Sequence, residues 1–285
     1  SENNYSIYFE NQDFVIIGES EELAIFQDMS MSVNIMFNGI TTHWQQIITY
    51  SDDGENTSKN TLYHLEIPPN QLDEIYYLHE FGTGDNQICI LEYPFNTNQW
   101  YNIVFTRNTE SNTINFYVDG EFISTELFNN NPDGGGDSKL AFGDKWTGLG
   151  EHYFTGKLDD VHIWDTNISQ LEIQEYVNCP PTGDEEGLVG YWNFEEGPTE
   201  GQVLDLSGSG NNGTINGATY SEEVPEQNCS SNNEIAGFSY LGTLDNHNYY
   251  ISNTTSTWTE SNDICNSLGG NLISIQTQIE NEYIE

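Results

Sequence analysis

Two kinds of side chain in this sequence could do chemistry: clustered carboxylates and amides, and aromatic rings set among polar residues. Asp, Asn and Gly crowd into Asp52-Asp53-Gly54-Glu55-Asn56, into Asn131-Pro132-Asp133-Gly134-Gly135-Gly136-Asp137, into Asp159-Asp160, and into residues 205–211. Such loops present carboxylates and bare carbonyls together, which suits a calcium ion with its roughly six to eight oxygen ligands, although none has EF-hand spacing. A sugar site needs an aromatic platform beside planar polar groups. Trp146, in Gly143-Asp144-Lys145-Trp146-Thr147-Gly148, with His152 and Tyr153 close behind, meets that need best. Catalysis has no comparable signal. A glycosidase needs two carboxylates facing one cleft, but no Glu-x-Asp-x-x-Glu run occurs, and the adjacent Glu195 and Glu196 would point to opposite faces of a strand as a solvated pair. The six His are scattered, and His-x-x-x-His and Gly-x-Ser-x-Gly are both missing. The sequence predicts binding, not an enzyme.

Cysteine usage and charge narrow the setting. Of the cysteines at 89, 179, 229 and 265, Cys179 and Cys229 bracket one coherent segment beside Pro180-Pro181 and Val224-Pro225. They are expected to form a disulfide, which requires an oxidising compartment. Cys89, in the apolar run Gln87-Ile88-Cys89-Ile90-Leu91, reads as a buried free thiol, and Cys265 has no evident partner. The 285 residues carry 46 Asp plus Glu against 5 Lys plus Arg, a formal charge of -41. So few cations cannot displace the counterions of nucleic acid, and the field repels anionic membrane surfaces. Divalent cations and a salty exterior are the natural complement. With 35% hydrophobic and 13% aromatic residues the chain should nevertheless fold. No stretch approaches the roughly 20 apolar residues of a membrane span. The chain opens without Met or a basic-then-apolar leader and closes within a helical pattern, so both ends read as cut.

The elements that must position these residues are mostly strands. From residue 5 to about 165, short alternating runs are separated by Gly, Asn and Asp, the pattern of an all-β sandwich. Ile114, Phe116 and Val118 fall on one face by alternation, and Asp119-Gly120 supplies a tight turn. In Gly156-Lys157-Leu158-Asp159-Asp160-Val161-His162-Ile163-Trp164, Val161 and Ile163 share one face and His162 and Trp164 the other. Ser169 with Glu172 forms a capping box for a short helix ending near Asn178. Trp44, Trp100, Trp164 and Trp192 lie in strand patterns and are expected in the core.

Trp100-Tyr101-Asn102-Ile103-Val104, Phe116-Tyr117-Val118-Asp119-Gly120, and the Gly156 to Trp164 strand followed by Ser169-Gln170-Leu171-Glu172-Ile173 together resemble the laminin-G-like, concanavalin A-like module. The resemblance covers most of residues 4–178. It implies a mainly all-β fold, an antiparallel jelly-roll sandwich, commonly with bound calcium. It also raises Asp160 and Asp205 above the other acidic loops, because they lie in matching motifs whose strands should be neighbours, and the expected calcium ligands are drawn from Asp159, Asp160, Asp205 and Asn211. Gly187-Leu188-Val189-Gly190-Tyr191-Trp192-Asn193-Phe194 and the run from 205 to 214 look like the segment that usually opens such a module, yet they follow its closing helix. Folding back to complete the same sandwich is favoured over starting a second one, since a lone hairpin would leave an apolar edge unpaired. Residues 221–235 read as a linker. Beyond it, Trp258-Thr259-Glu260-Ser261 through Cys265 and Leu268-Gly269-Gly270-Asn271-Leu272 are similar to the front half of a C-type lectin-like domain, a small α+β unit. There Thr257 with Glu260 is a capping box, Gly269 a helix stop, and Thr277 with Glu280 the start of a second helix.

The expected organisation is therefore 1–178 jelly roll, 179–229 permuted strands completing it, and 230–285 the C-type lectin-like fragment. The expected function is an extracellular, secreted or cell-surface, calcium-dependent adhesion or glycan-binding segment of a large modular surface protein. Its ligands would be glycans or cell-surface glycoconjugates, with other copies of the same protein as further partners, and without nucleic acid or membrane insertion. Trp146, Asp144, His152 and Tyr153 are the expected sugar contacts. A targeting module of a secreted hydrolase and a structural spacer in a stalk or filament are the alternatives. The Asn-rich, Arg-poor composition looks like that of marine Bacteroidetes surface proteins.

Overall fold

Alternating apolar residues become strands that bury one face each, and the computed structural model assembles them into two sheets. It describes residues 3–51, 61–82, 85–133, 138–144, 152–197, 201–227, 229, 237–244, 247–255 and 257–267. Among them the first sheet runs, in spatial order, β10 (Glu121–Leu127), β9 (Thr113–Val118), β8 (Trp100–Asn108), β3 (Met29–Phe37), β12 (Gly156–Trp164), β1 (Ser6–Phe9) and β16 (Thr219–Ser221), with β13 (Leu188–Trp192) also paired to β12. The second runs β14 (Gln202–Val203), β15 (Gly213–Asn216), β2 (Phe14–Gly18), β11 (Lys139–Phe142), β4 (Gln45–Ser51), β5 (Tyr63–Ile67), β6 (Glu74–Phe81) and β7 (Asp85–Glu92). The late segment thus adds β13 and β16 to one sheet and β14 and β15 to the other.

The core lies between the sheets. Met31, Val33 and Ile35 of β3, Ile103 and Phe105 of β8, and Ile114, Phe116 and Val118 of β9 meet Tyr63 and Leu65 of β5, Tyr77 of β6 and Phe142 of β11. Because β-strand side chains alternate, the intervening residues form the outward faces. On the first sheet that face is covered. Val104, Tyr117, Trp164, Leu188 and Tyr191 make a second apolar cluster with Ile168 and with Ile173 of α1 (Gln170–Asn178), and Tyr176 stacks on Trp164 at 5.6 Å. The capping box is formed: Ser169 Oγ accepts from Glu172 N, and Glu172 accepts from Ser169 N. Asp119 and Gly120 make the expected turn, with φ of 52° and 81°.

Two tryptophans depart from expectation. Trp164 and Trp192 are buried, but Trp44 and Trp100 are part-exposed. Trp44 precedes β4 on the outward side of the second sheet, where alternation alone leaves it at the surface.

The chain divides into unit 1, Ser1–Gln227, and unit 2, Asn228–Glu285. In unit 2, β17 (Phe238–Leu244) pairs antiparallel with β18 (His247–Ser252), and α2 (Trp258–Ser267) begins with a capping box in which Glu260 accepts from Thr257 N and Thr257 Oγ1 accepts from Glu260 N. The expected helix signals at Gly269, Thr277 and Glu280 lie outside the described residues. Cys179 and Cys229 are disulfide-bonded, while Cys89 and Cys265 are free thiols.

Candidate functional site

The acidic residues singled out in the sequence fall at a junction between strands. On one side β12 pairs with β3 through residues 156–159 and 162–164, but its other side is shared: β1 pairs with residues 156–158 and β13 with residues 161–164. Asp159 and Asp160 occupy the gap. There the register to β3 shifts and Asp160 takes a left-handed φ of 44°. Both carboxylates are buried. Asp159 Oδ1 accepts from Asp160 N at 2.9 Å and Oδ2 from Asn3 Nδ2 at 3.1 Å. Asp160 accepts from Tyr191 Oη at 3.2 Å, from Asn34 Nδ2 at 3.2 Å and from Gln227 Nε2. Burial, then the neighbouring Asp160 charge, holds Asp159 well above the usual carboxylate range. Burial also pushes Asp160 up, to about 7, against the lowering effect of its three hydrogen bonds.

Glu195 closes the same junction. Its Oε1 accepts from Asn4 N and Tyr5 N, and its Oε2 from Asn4 Nδ2, while Glu196 Oε1 accepts from Leu204 N. The expectation of a solvated pair is therefore corrected: both carboxylates hold backbone groups of other segments.

Asp205 and Asn211 do not join Asp159 and Asp160 in one ligand set. Asp205 Oδ1 accepts from Tyr191 N, Ser207 N and Ser207 Oγ, and Oδ2 from Asn211 N. The Asn211 side chain donates to Val189 O at 3.1 Å, and the Asn211 backbone carbonyl accepts from Trp192 Nε1 at 2.9 Å. These two residues fasten a turn to β13. Among the described residues no group of three or more His, Cys, Asp or Glu stands close enough to hold a metal.

The expected sugar contacts converge elsewhere, at the start of β4. Gly143 N donates to Ile47 O at 2.9 Å, which places Asp144 beside this strand, and Gln46 N donates to His152 O at 2.7 Å. Tyr153 forms a β-bridge with Gln46 and packs its ring against His43 in a tilted arrangement, with centroids 4.2 Å apart. Asp144 is buried and His152 exposed. Trp146 lies outside the described residues.

The outward face of the second sheet continues from that point. In register, Gln46 of β4 faces Glu66 of β5, and Glu66 faces Tyr76 of β6. Trp44, two residues before Gln46 and so on the same side, packs its edge against Tyr76 at 5.6 Å. His64 Nδ1 lies 3.0 Å from Thr49 Oγ1, and its Nε2 comes within 3.0 Å of Glu66 Oε2 without forming a hydrogen bond. Gln46 is 8% exposed, and among the described residues its Oε1 has no hydrogen-bond partner. An acceptor buried without a donor costs about 1–3 kcal/mol. Two aromatic rings beside such an acceptor and a carboxylate can stack on an apolar ring face and accept its hydroxyls.

The profile described as the concanavalin A-like lectin/glucanases superfamily, of laminin-G type, matches residues 9–174, more than half of the chain. The protein belongs to this superfamily. No curated protein matches it. Among solved structures it is similar to a protein from Bacteroides ovatus to which carbohydrate binding has been ascribed, at 21% identity and a TM-score of 0.55, over 78% of this chain and 60% of the other. The chain thus spans less than two thirds of that protein's length. It is also similar to the CBM40 of the Ruminococcus gnavus IT-sialidase bound to alpha2,3 sialyllactose, at 11% identity and a TM-score of 0.50, over 59% of this chain and 94% of the other. A third similarity is to the NanB sialidase of Streptococcus pneumoniae, at 15% identity and a TM-score of 0.51, over 70% of this chain and 32% of the other. At these identities the likeness is one of fold.

For this member of the concanavalin A-like superfamily, sequence reasoning missed Trp44, Gln46, Glu66 and Tyr76. The only signal was period-two spacing of Trp44 with Gln46, His64 with Glu66, and Glu74 with Tyr76, which assigns residues to a face but not that face to water.

Proposed function

We propose that the sandwich is a non-catalytic carbohydrate-binding module that holds a sugar on the outward face of its second sheet. The observation that carries this reading is the buried Gln46 Oε1, without a partner among the described residues, beside the Trp44–Tyr76 ring pair. The Asp144, His152 and Tyr153 group at the start of β4 extends the same face; Trp146, expected from the sequence as a sugar contact, lies outside the described residues. That similar sandwiches include a sialyllactose-bound CBM40 supports the substrate class. The disulfide and the charge of -41 support an extracellular setting, as a secreted or surface-attached adhesion segment. The similarity of residues 230–285 to the start of a C-type lectin-like domain is retained as part of this reading, with the β17–β18 hairpin and the capped α2 compatible with it.

Calcium belongs to the proposal at Asp159 and Asp160. The hydrogen-bond donors to these two buried carboxylates, from Asn3, Asn34, Asp160, Tyr191 and Gln227, are all neutral, and a divalent cation would compete with protons for the pair. Asn3 Nδ2 approaches both Asp159 Oδ2 and Pro225 O, at 3.1 and 3.3 Å, so these oxygens already converge on one point. Asp205 and Asn211 would act on this centre only through Tyr191.

The test is retention on a panel of immobilised glycans. Trp44→Ala should abolish retention while leaving the melting temperature within a few degrees of the parent, and Trp146→Ala should weaken it. Unchanged retention in both variants would remove this face as the binding site.

A further inference from the structure

The acceptor character of this face has a chemical consequence for its ligand. Burial raises the Tyr76 hydroxyl above its ordinary value, and its hydrogen bond to Glu74 and the charges of Glu74 and Glu66 on either side add to the shift. Glu74 is itself held by Gln71 Nε2 at 2.7 Å. The strands that build the face, β4 to β7, contain no Lys or Arg. Gln46 Oε1 adds an independent sign of a missing donor, since it is an acceptor more than nine-tenths buried with none among the described residues. His64 Nε2 lies 3.0 Å from Glu66 Oε2 without hydrogen-bond geometry, so the Glu66 carboxylate is not held by a donor from that ring. Trp44 and Tyr76 supply ring faces that attract a cation electrostatically.

We infer that the face selects a sugar bearing a free amino group, a hexosamine with its ammonium between Glu66, Gln46 and the Trp44–Tyr76 pair. This rests on the carbohydrate-binding reading above and specifies its ligand. An N-acetylated sugar would present a neutral amide N–H and a carbonyl, and its carbonyl would oppose the Glu66 carboxylate. A uronic or sialic acid would bring an anion to a face with two carboxylates and no fixed cation in its strands. A charge-assisted hydrogen bond is roughly twice as strong as a neutral one, and a ring-face contact to a cation adds to it. The expected preference for the amine over its acetylated counterpart is at least about tenfold.

The experiment is calorimetric titration of the full chain with glucosamine, N-acetylglucosamine and glucose oligomers of equal length, at a pH that keeps the amine protonated and at physiological salt. The glucosamine oligomer should bind at least about tenfold tighter than the other two. That ratio should fall to near one in Glu66→Gln, and in part in Glu74→Gln. It should persist in Glu126→Gln, which removes a carboxylate from β10 at the edge of the other sheet. Equal affinity for all three oligomers in the parent would overturn this inference and leave the carbohydrate-binding reading standing. A preference surviving Glu66→Gln would assign it to the general acidic field and likewise overturn it. Binding of none of the oligomers, together with no retention on the glycan panel, would remove both.

Discussion

His79 is buried at the end of β6, and replacing it with Gln isolates one source of acid sensitivity. Its Nε2 lies 2.6 Å from Asn130 O, a carbonyl that can only accept, so the proton sits on Nε2. Nδ1 is then bare and accepts from Tyr77 Oη at 3.2 Å, while Tyr77 Oη in turn accepts from Arg107 Nη1 at 2.9 Å. Arg107 is fully buried and also donates to Gln27 O, Leu62 O and Ile25 O, so the relay is anchored in the core. A protonated His79 would lose the Tyr77 bond and face a cation. Burial, with the Arg107 charge as a lesser cause, lowers its pKa from 6.5 to about 4. In the unfolded chain the ring takes its proton at the higher value, so the unfolded state binds more protons in this window. The contribution to stability is therefore complete above 6.5 and is lost as pH falls through the interval down to about 4. By proton linkage the loss reaches about 3 kcal/mol at a pH near 4. Urea unfolding followed by tryptophan fluorescence, in steps from neutral to acid, should show His79→Gln less stable at neutral pH and relatively gaining by that amount at the acid end. The raised pKa values of Asp159 and Asp160 act in the opposite direction, favouring the folded state at low pH and opposing it as pH rises, but they are common to both proteins and cancel. A stability difference constant within about 0.5 kcal/mol, the size of an ordinary surface substitution, would refute the relay.

Two further outcomes are expected. Calcium at hundredfold excess over its dissociation constant should stabilise the protein by about 2.7 kcal/mol, and chelation should lower the melting temperature correspondingly; Asp159→Asn should erase that response, and a parent protein indifferent to both calcium and chelator would exclude the metal. Opening the Cys179–Cys229 bond releases a loop of about 50 residues and should cost roughly 4 kcal/mol in the chain-entropy picture; a paired Cys179→Ser and Cys229→Ser variant with unchanged denaturation midpoint would contradict it.

Much of this protein was legible in its sequence because the relevant physics is local. Alternation places Ile114, Phe116 and Val118 in the core, and the φ preferences of Asp119 and Gly120 turn the chain between β9 and β10. Ser169 and Glu172 satisfy each other's backbone within one turn of helix. The cysteines flanking the late strands pair as their positions suggest. What the tertiary structure alone decided depends on which segments meet. Asp159 and Asp160 are buried because β1 and β13 end on either side of them along β12, and Glu195 is spent on Asn4 and Tyr5 because those ends meet. Trp44 and Trp164 have similar strand-like surroundings in sequence, yet α1 packs over the face bearing Trp164 while Trp44 remains part-exposed beside Tyr76. Alternation fixes the side of the sheet a residue occupies; whether that side meets a helix or solvent is set by packing between segments far apart in the chain.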